Sequence, residues 1–240
     1  MGSVGSPSIT RPDHWWYRAR AELLAAAVGA HVGTPATVLD VGSADGPSVG
    51  WLAAAAAHRV ALDIDPRVLA PGDVRASAMQ LPFADATFDV VAAFDVVEHC
   101  EPEAAVFAEL ARVLAPGGRL LVSVPAYQWA WSDFDVQNGH HRRYTRRRLV
   151  AAVERQDLEV VRATYIFAGT LPFFTADRLR SRMRSDPPPA EDGVPRLPDI
   201  GPGAERLLMA ATGLDRRLLP RCNLPFGSSV VVVARKAQVA

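Results

Sequence analysis

Apolar and polar positions along this chain of 240 residues change their period repeatedly, and the changes divide it into strands and helices. A helix is predicted over 14–30, where Ala and Leu dominate and β-branched residues are few, and Gly33-Thr34-Pro35 ends it. The β-branched run 37–41 reads as a strand. A turn follows, then a helix over 48–57 that Pro47 is suited to open. Further strands are predicted at 59–64, 74–76 and 89–94. Over 102–114, Val106, Phe107, Leu110, Val113 and Leu114 recur at helical spacing. Pro116-Gly117-Gly118 then turns the chain into 119–124, apolar almost throughout, as strands buried on both faces are.

Beyond Pro125 the alternation breaks. Residues 127–144 are loaded with aromatics, His and Arg and form a candidate lid, ahead of a helix over 146–156 and a strand over 158–167. The stretch 168–226 departs from the pattern again. It holds a short apolar run at 171–174, a Pro-rich linker at 186–202 and a helix near 204–212. The strongly β-branched run 228–234 returns as a strand. Alternating strands and helices imply an α/β fold, a Rossmann-like three-layer sandwich whose ligands lie outside the carboxyl ends of the strands. The expected organisation is a disordered start over 1–12, a helical segment over 13–35 and one domain over 36–240. That domain carries a lid insertion at 126–146 and an excursion at 168–226.

Composition narrows the function. With 49% hydrophobic residues the chain can bury a substantial core. Its 26 basic and 26 acidic residues cancel, which removes any overall electrostatic reason to seek nucleic acid or an anionic membrane. Small-molecule chemistry is the better expectation. Two distant cysteines, Cys100 and Cys222, suggest neither a disulfide framework nor a zinc cluster. No apolar stretch approaches the roughly 18–20 residues that span a bilayer, so a cytoplasmic protein is expected. The start, MGSVGS, matches a loose myristoylation pattern and equally suits a disordered terminus.

Candidate chemistry begins at the turn after the first strand. Gly42 and Gly46 permit a sharp turn and a close backbone approach to a ligand, with Asp40 and Ser43 beside them and a helix start beyond. About twenty residues on, Asp63 ends the next strand, where a carboxylate accepts hydrogen bonds from ribose hydroxyls. Its competitor for that role is a helix cap, which Asp65 before Pro66 also suits.

Four segments in order, VLDVGSADG at 38–46, ALDIDP at 61–66, LPFADATFDVV at 81–91 and DVVEHCEPEAAVFAELARVLAPGGRLLVSVP at 95–125, resemble class I S-adenosylmethionine-dependent methyltransferases. The resemblance covers about residues 36–166 and the final strand. It implies a seven-stranded sheet with its last strand antiparallel and S-adenosylmethionine as cofactor. The 40–46 loop would hold the methionine end and Asp63, next to Ile64, the ribose. Ala78 and Met79 would pack on adenine, and Phe94 and Asp95 would border the transferred methyl. Two residues depart from the family pattern: Ala44 replaces the middle glycine of the loop, and Ser77 stands where many relatives carry an aspartate near the adenine amino group. The segments HWWYRAR at 14–20, NGHHRRY at 138–144 and PFGSS at 225–229 further resemble a bacterial subgroup associated with glycan or secondary-metabolite assembly.

The implied reaction is methyl transfer to an oxygen of a small metabolite or sugar. The alternatives are N-methylation and a cofactor-binding module without catalysis. An oxygen acceptor must lose a proton, a task suited to histidine. His140 in the candidate lid is the first choice, His99 the second, with Tyr144 as a further proton-transfer candidate. The segment Asp95-Val96-Val97-Glu98-His99 also resembles that of ubiquinone-pathway O-methyltransferases, which is associated with a divalent metal. Asp95, Glu98 and His99 are therefore candidate ligands, against the simpler reading that Glu98 and His99 cap a turn. No metal is expected as part of the basic cofactor set. The arginines 142, 143, 146, 147 and 148 either face solvent from a helix or grip an anionic or lipid-linked acceptor. The arginines of 178–184, beside the apolar 171–174, are a candidate interfacial contact.

Overall fold

The computed structural model describes residues 13–43, 50–182 and 200–238. Gly46 and Ala44 of the first turn, the terminal 1–12 and most of the Pro-rich stretch lie outside the described residues.

Fourteen strands and helices follow along the described chain. Helix α1 (Trp15–Val32) precedes β1 (Thr37–Val41), α2 (described over Gly50–Ala55), β2 (His58–Asp63), β3 (Val74–Arg75) and β4 (Phe88–Phe94). Next come α3 (Glu103–Val113), β5 (Leu114–Pro125), α4 (Asp133–Gln137), α5 (Arg146–Glu154) and β6 (Leu158–Ile166). Helices α6 (Leu171–Arg182) and α7 (Pro202–Leu218) lead to β7 (Ser229–Lys236). The strands form one sheet in the order β3-β2-β1-β4-β5-β7-β6. Strand β7 runs antiparallel between β5 and β6, and the remaining pairs are parallel. The expected seven-stranded, mostly parallel sheet with an antiparallel last strand is therefore what forms.

Burial explains the strand compositions. Val90, Val91, Ala92 and Ala93 of β4 and Val230 to Val233 of β7 are at most 1% exposed, so both faces of the central strands are covered. The order reverses between β1 and β4, and a crevice opens at their carboxyl ends. Gly42 and Asp95 follow those two strands, and both line it.

Three expectations change. Among the described residues the excursion holds two helices rather than one: α6 forms across Leu171–Arg182, with Pro172 at its start, where a missing N–H costs nothing. Helix α7 runs six residues beyond the expected end. It is fastened by Asp215, whose carboxylate accepts from the Gly169 N–H at 3.1 Å. The strand expected at 119–124 begins at Leu114, which pairs with Phe88 before the register shifts.

Candidate active site

A cavity of about 710 Å³ opens at the carboxyl ends of the strands. Its sheet side is built from the turns that follow β1, β2 and β4. Gly42 sits there with φ +72°, and a Cβ on it would come within 2.3 Å of Val96 Cγ2. Glycine thus lets two neighbouring strand-end loops close on each other.

At the end of β2 the two carboxylates take different work. Asp63 lines the cavity and its Oδ1 accepts from the Asp65 N–H at 2.8 Å. Asp65 caps the short 3₁₀ turn Pro66–Val68, accepting from the Arg67 N–H at 3.0 Å, and its hydrogen bonds to Arg67 hold its pKa below the usual carboxylate range. Beside Asp63 stands Ile64, 68% exposed, an apolar side chain on the same wall. Ser77, Ala78 and Met79 continue that wall, with Ser77 Oγ accepting from the Met79 N–H at 3.2 Å.

Beyond β4 the chain turns sharply. Asp95 has φ +56°, a conformation Asp tolerates better than most residues, and its N–H donates to the Ser123 carbonyl. Its carboxylate accepts from Ser123 Oγ at 3.1 Å and forms an ion pair at 2.9 Å with Arg20, a side chain of α1 only 1% exposed. Phe94 lines the cavity just before it. Next comes the 3₁₀ turn Val97–His99, which carries Glu98 and His99. Glu98 is fully buried, and neither oxygen has a hydrogen-bond partner among the described residues. Burial, with the charge of Asp95 second, pushes its pKa well above the usual range. Burial, followed by the proximity of His140, brings the pKa of His99 down to about 4.

The segment between β5 and α5 brings the third member. Ser132 and Asp135 form a capping box on α4, and the His141 N–H donates to the Glu98 carbonyl at 2.8 Å. This stitch sets the His140 ring 4.6 Å from that of His99, edge to face. His140 Nδ1 lies 2.9 Å from Asp135 Oδ1. Burial opposes the Asp135 charge, but hydrogen bonds from His140 and Arg143 win and hold its pKa at about 2. An ionised carboxylate only accepts, so Nδ1 carries the proton and Nε2 is the ring's remaining nitrogen. Donor atoms of Glu98, His99 and His140 all lie within 4.8 Å of one another.

The opposite wall is aromatic. Trp16, whose ring stacks 5.8 Å from Phe167 at an interplanar angle of 3°, faces Phe134, Phe173 and Phe174. Arg178 lines the same wall with its guanidinium 4.8 Å from the Phe174 centroid.

Some candidates do not reach the cavity. Tyr144 is buried elsewhere, donating from its hydroxyl to Glu103 Oε2 at 2.7 Å; burial and then Glu103 push its pKa up. It is part of the core and does not line the cavity. Asp40 points along the sheet, where Arg59 Nη2 donates to its Oδ2 at 2.6 Å. Ser43 is buried with its hydroxyl unpartnered among the described residues, and it does not line the cavity; Gly46 is outside them. The arginine run also divides. Arg143 grips Asp135 with two hydrogen bonds, and Arg142 donates to the Cys100 carbonyl at 2.5 Å. Arg146 and Arg148 lie over Tyr165 and Tyr144, Arg147 is exposed, and only Arg143 of the five lines the cavity. Asp95 leaves the candidate metal-ligand set because Arg20 and Ser123 engage it. Conversely, Asp135, Arg20 and Phe167 were not singled out as site residues from the sequence, and Arg178, expected in an interfacial contact, lines the cavity. Only Asp135 carried a local signal, the Ser-x-x-Asp spacing of a capping box.

Residues 39–122 match a family described as a methyltransferase domain. Among curated relatives, an uncharacterized methyltransferase of Mycobacterium marinum is 29% identical over 150 residues, covering 58% of this chain and 55% of that one. A probable S-adenosylmethionine-dependent methyltransferase of Mycolicibacterium smegmatis is 34% identical over 125 residues, 47% of this chain and 46% of its own. The chain thus spans about half the length of the curated relatives it matches. The solved structure of the (4+2)-cyclase SpnF shares the fold, with a TM-score of 0.59 at 20% identity over 91% of this chain and 80% of that one. Among the described residues no helix is long and apolar enough to cross a membrane. With the strand order and the matched domain in agreement, this chain carries a methyltransferase domain over residues 39–122, set in a Rossmann-like α/β fold.

Proposed function

We propose that the protein transfers a methyl group from S-adenosylmethionine to an oxygen of a small bacterial metabolite or sugar, in a glycan or secondary-metabolite pathway. One observation carries the reading: Asp63 with its apolar neighbours and the Glu98, His99 and His140 cluster line one cavity.

The sheet-side wall fits a nucleoside. A buried carboxylate beside exposed apolar Ile64 and half-exposed Met79 offers hydrogen bonds to a ribose and a surface for a base, next to a glycine turn that brings backbone close. Asp63 would hold the ribose hydroxyls, Ile64, Ala78 and Met79 the adenine faces, and the Ser77 hydroxyl the adenine edge. Phe94 and Asp95 border the space between this wall and the titratable cluster. When bound, S-adenosylmethionine supplies a methyl carbon already activated by its sulfonium. The chain's own tasks are to align the acceptor and to handle the proton on its oxygen. Trp16, Phe167, Phe173 and Phe174 offer an apolar bed for the body of the acceptor, and Arg178 offers a cation for an acidic substituent. The Glu98, His99 and His140 cluster is where the acceptor oxygen and its proton are handled.

Calorimetry tests the foundation. The wild type is expected to bind S-adenosylmethionine at one site, and Asp63→Ala to bind at least about tenfold more weakly, the loss of one charge-assisted hydrogen bond pair. Absence of binding by the wild type contradicts the proposal. Since a cyclase shares this fold and fold does not set chemistry, release of S-adenosylhomocysteine in the presence of bacterial metabolite fractions is the second measurement.

A further inference from the structure

We infer that Glu98, His99 and His140 form a binding site for one divalent transition-metal ion, with Asp135 orienting His140. The inference deepens the proposed function, and rests on it only in assigning the open side of the ion to the acceptor's oxygen.

Three features of the cluster carry it. Glu98 is fully buried with both oxygens unpartnered among the described residues, and it lines the cavity. A buried carboxylate in that state is costly unless a cation or proton joins it. His140 is held through Nδ1 by Asp135 at 2.9 Å, which leaves its other nitrogen uncommitted to that bond. Metal-ligating histidines are oriented in this way, and an ionised aspartate behind the ring raises its basicity. The donor atoms lie within 4.8 Å of one another. Metal–ligand distances of about 2.0–2.2 Å require separations of roughly 3.0–3.4 Å, which side-chain rotation can close.

The ligand set also assigns the class of ion. Two imidazoles and one carboxylate suit zinc, cobalt, manganese or ferrous iron over magnesium or calcium, which favour all-oxygen shells. Three protein ligands leave at least one position open. An acceptor hydroxyl bound there would be polarised by the ion. The set differs from the local segment 95–99 that the sequence suggested: Asp95 is engaged by Arg20 and Ser123, and His140 arrives from forty residues away through the His141 to Glu98 stitch.

The test is direct binding of Zn²⁺ by calorimetry and of Co²⁺ by visible absorption, on protein stripped with chelator and dialysed. One equivalent is expected, with Co²⁺ bands that His140→Gln alters. Glu98→Gln keeps the shape of the buried side chain, and His140→Gln a similar volume. Each is expected to weaken Zn²⁺ at least tenfold with the unfolding transition retained, and Asp135→Asn about 10- to 100-fold. His58→Ala, an exposed histidine on β2, is expected to leave the affinity unchanged. Failure of the wild type to bind an equivalent, or equal binding by Glu98→Gln and His140→Gln, overturns the site and leaves His140 as a free base. S-adenosylmethionine titrated into the same samples separates the two readings. Nucleoside without metal sinks the site alone, whereas metal without nucleoside supports the site and sinks the methyl-donor reading.

Discussion

His140 Nδ1 lies 2.9 Å from Oδ1 of Asp135, and Asp135 is fully buried. The same carboxylate accepts from Arg143 Nε at 2.7 Å and Nη2 at 3.0 Å, so one side chain aims the histidine and neutralises a buried guanidinium. Removing it has two separable consequences. Asp135→Ala leaves Arg143, 5% exposed, without its carboxylate, and a stability loss of about 3–5 kcal/mol in denaturant unfolding is expected. The double variant Asp135→Ala with Arg143→Met is expected to recover a large part of it, since no buried charge then stands alone. A double variant no more stable than the single would show that the pair does not work as a unit.

Two glycines, Gly33 at the end of α1 and Gly42 in the turn after β1, form a matched pair. Gly33 and Gly42 have similar positive φ, +67° and +72°, but only Gly42 faces a neighbour, Val96 Cγ2, at 2.3 Å from a built Cβ. Gly33→Ala is expected to cost about 1–2 kcal/mol of stability through its backbone alone. Gly42→Ala is expected to cost more and to weaken S-adenosylmethionine at least tenfold, because Val96 and the turn must separate. Equal effects of the two substitutions would contradict the close approach.

Asp215 ties α7 to the turn before α6 and carries a pH dependence. Burial raises its pKa above the model-compound 3.8, against the opposing hydrogen bonds from Gly169 and Ala168. The folded chain therefore holds the proton more tightly than the unfolded one. Its contribution to stability rises as pH falls from neutral through the folded pKa toward 3.8. Wild type minus Asp215→Asn, measured by urea unfolding, is expected to increase between pH 7 and pH 4. A difference that falls over that range contradicts the assignment.

Much of the frame was legible because local periodicity governs it. The strands around Val91 and Val231 are apolar on both faces, and the glycine turn, Asp63 and the 77–79 wall follow them at short range. The remainder depends on contacts between distant segments. Tyr144 has the chemistry of a proton donor, but Glu103, forty-one residues earlier, takes its hydroxyl inside the core. Asp40 sits in the motif that resembles a cofactor loop, but Arg59 on the adjacent strand engages it. The Glu98, His99 and His140 cluster exists only because the lid folds back through the His141 to Glu98 hydrogen bond. Helix α6 hid behind Pro172, which breaks a helix from within but begins one without penalty.

The proposed function puts the methyl donor on the β2 side of one cavity and the acceptor oxygen beside the histidine cluster. A crystal structure of the complex with S-adenosylmethionine tests it most directly. The ribose hydroxyls are expected on Asp63, the adenine between Ile64 and the 77–79 wall, and the sulfonium methyl facing the space bounded by Glu98, His99 and His140. A nucleoside bound away from Asp63, or a methyl directed away from that cluster, would contradict it.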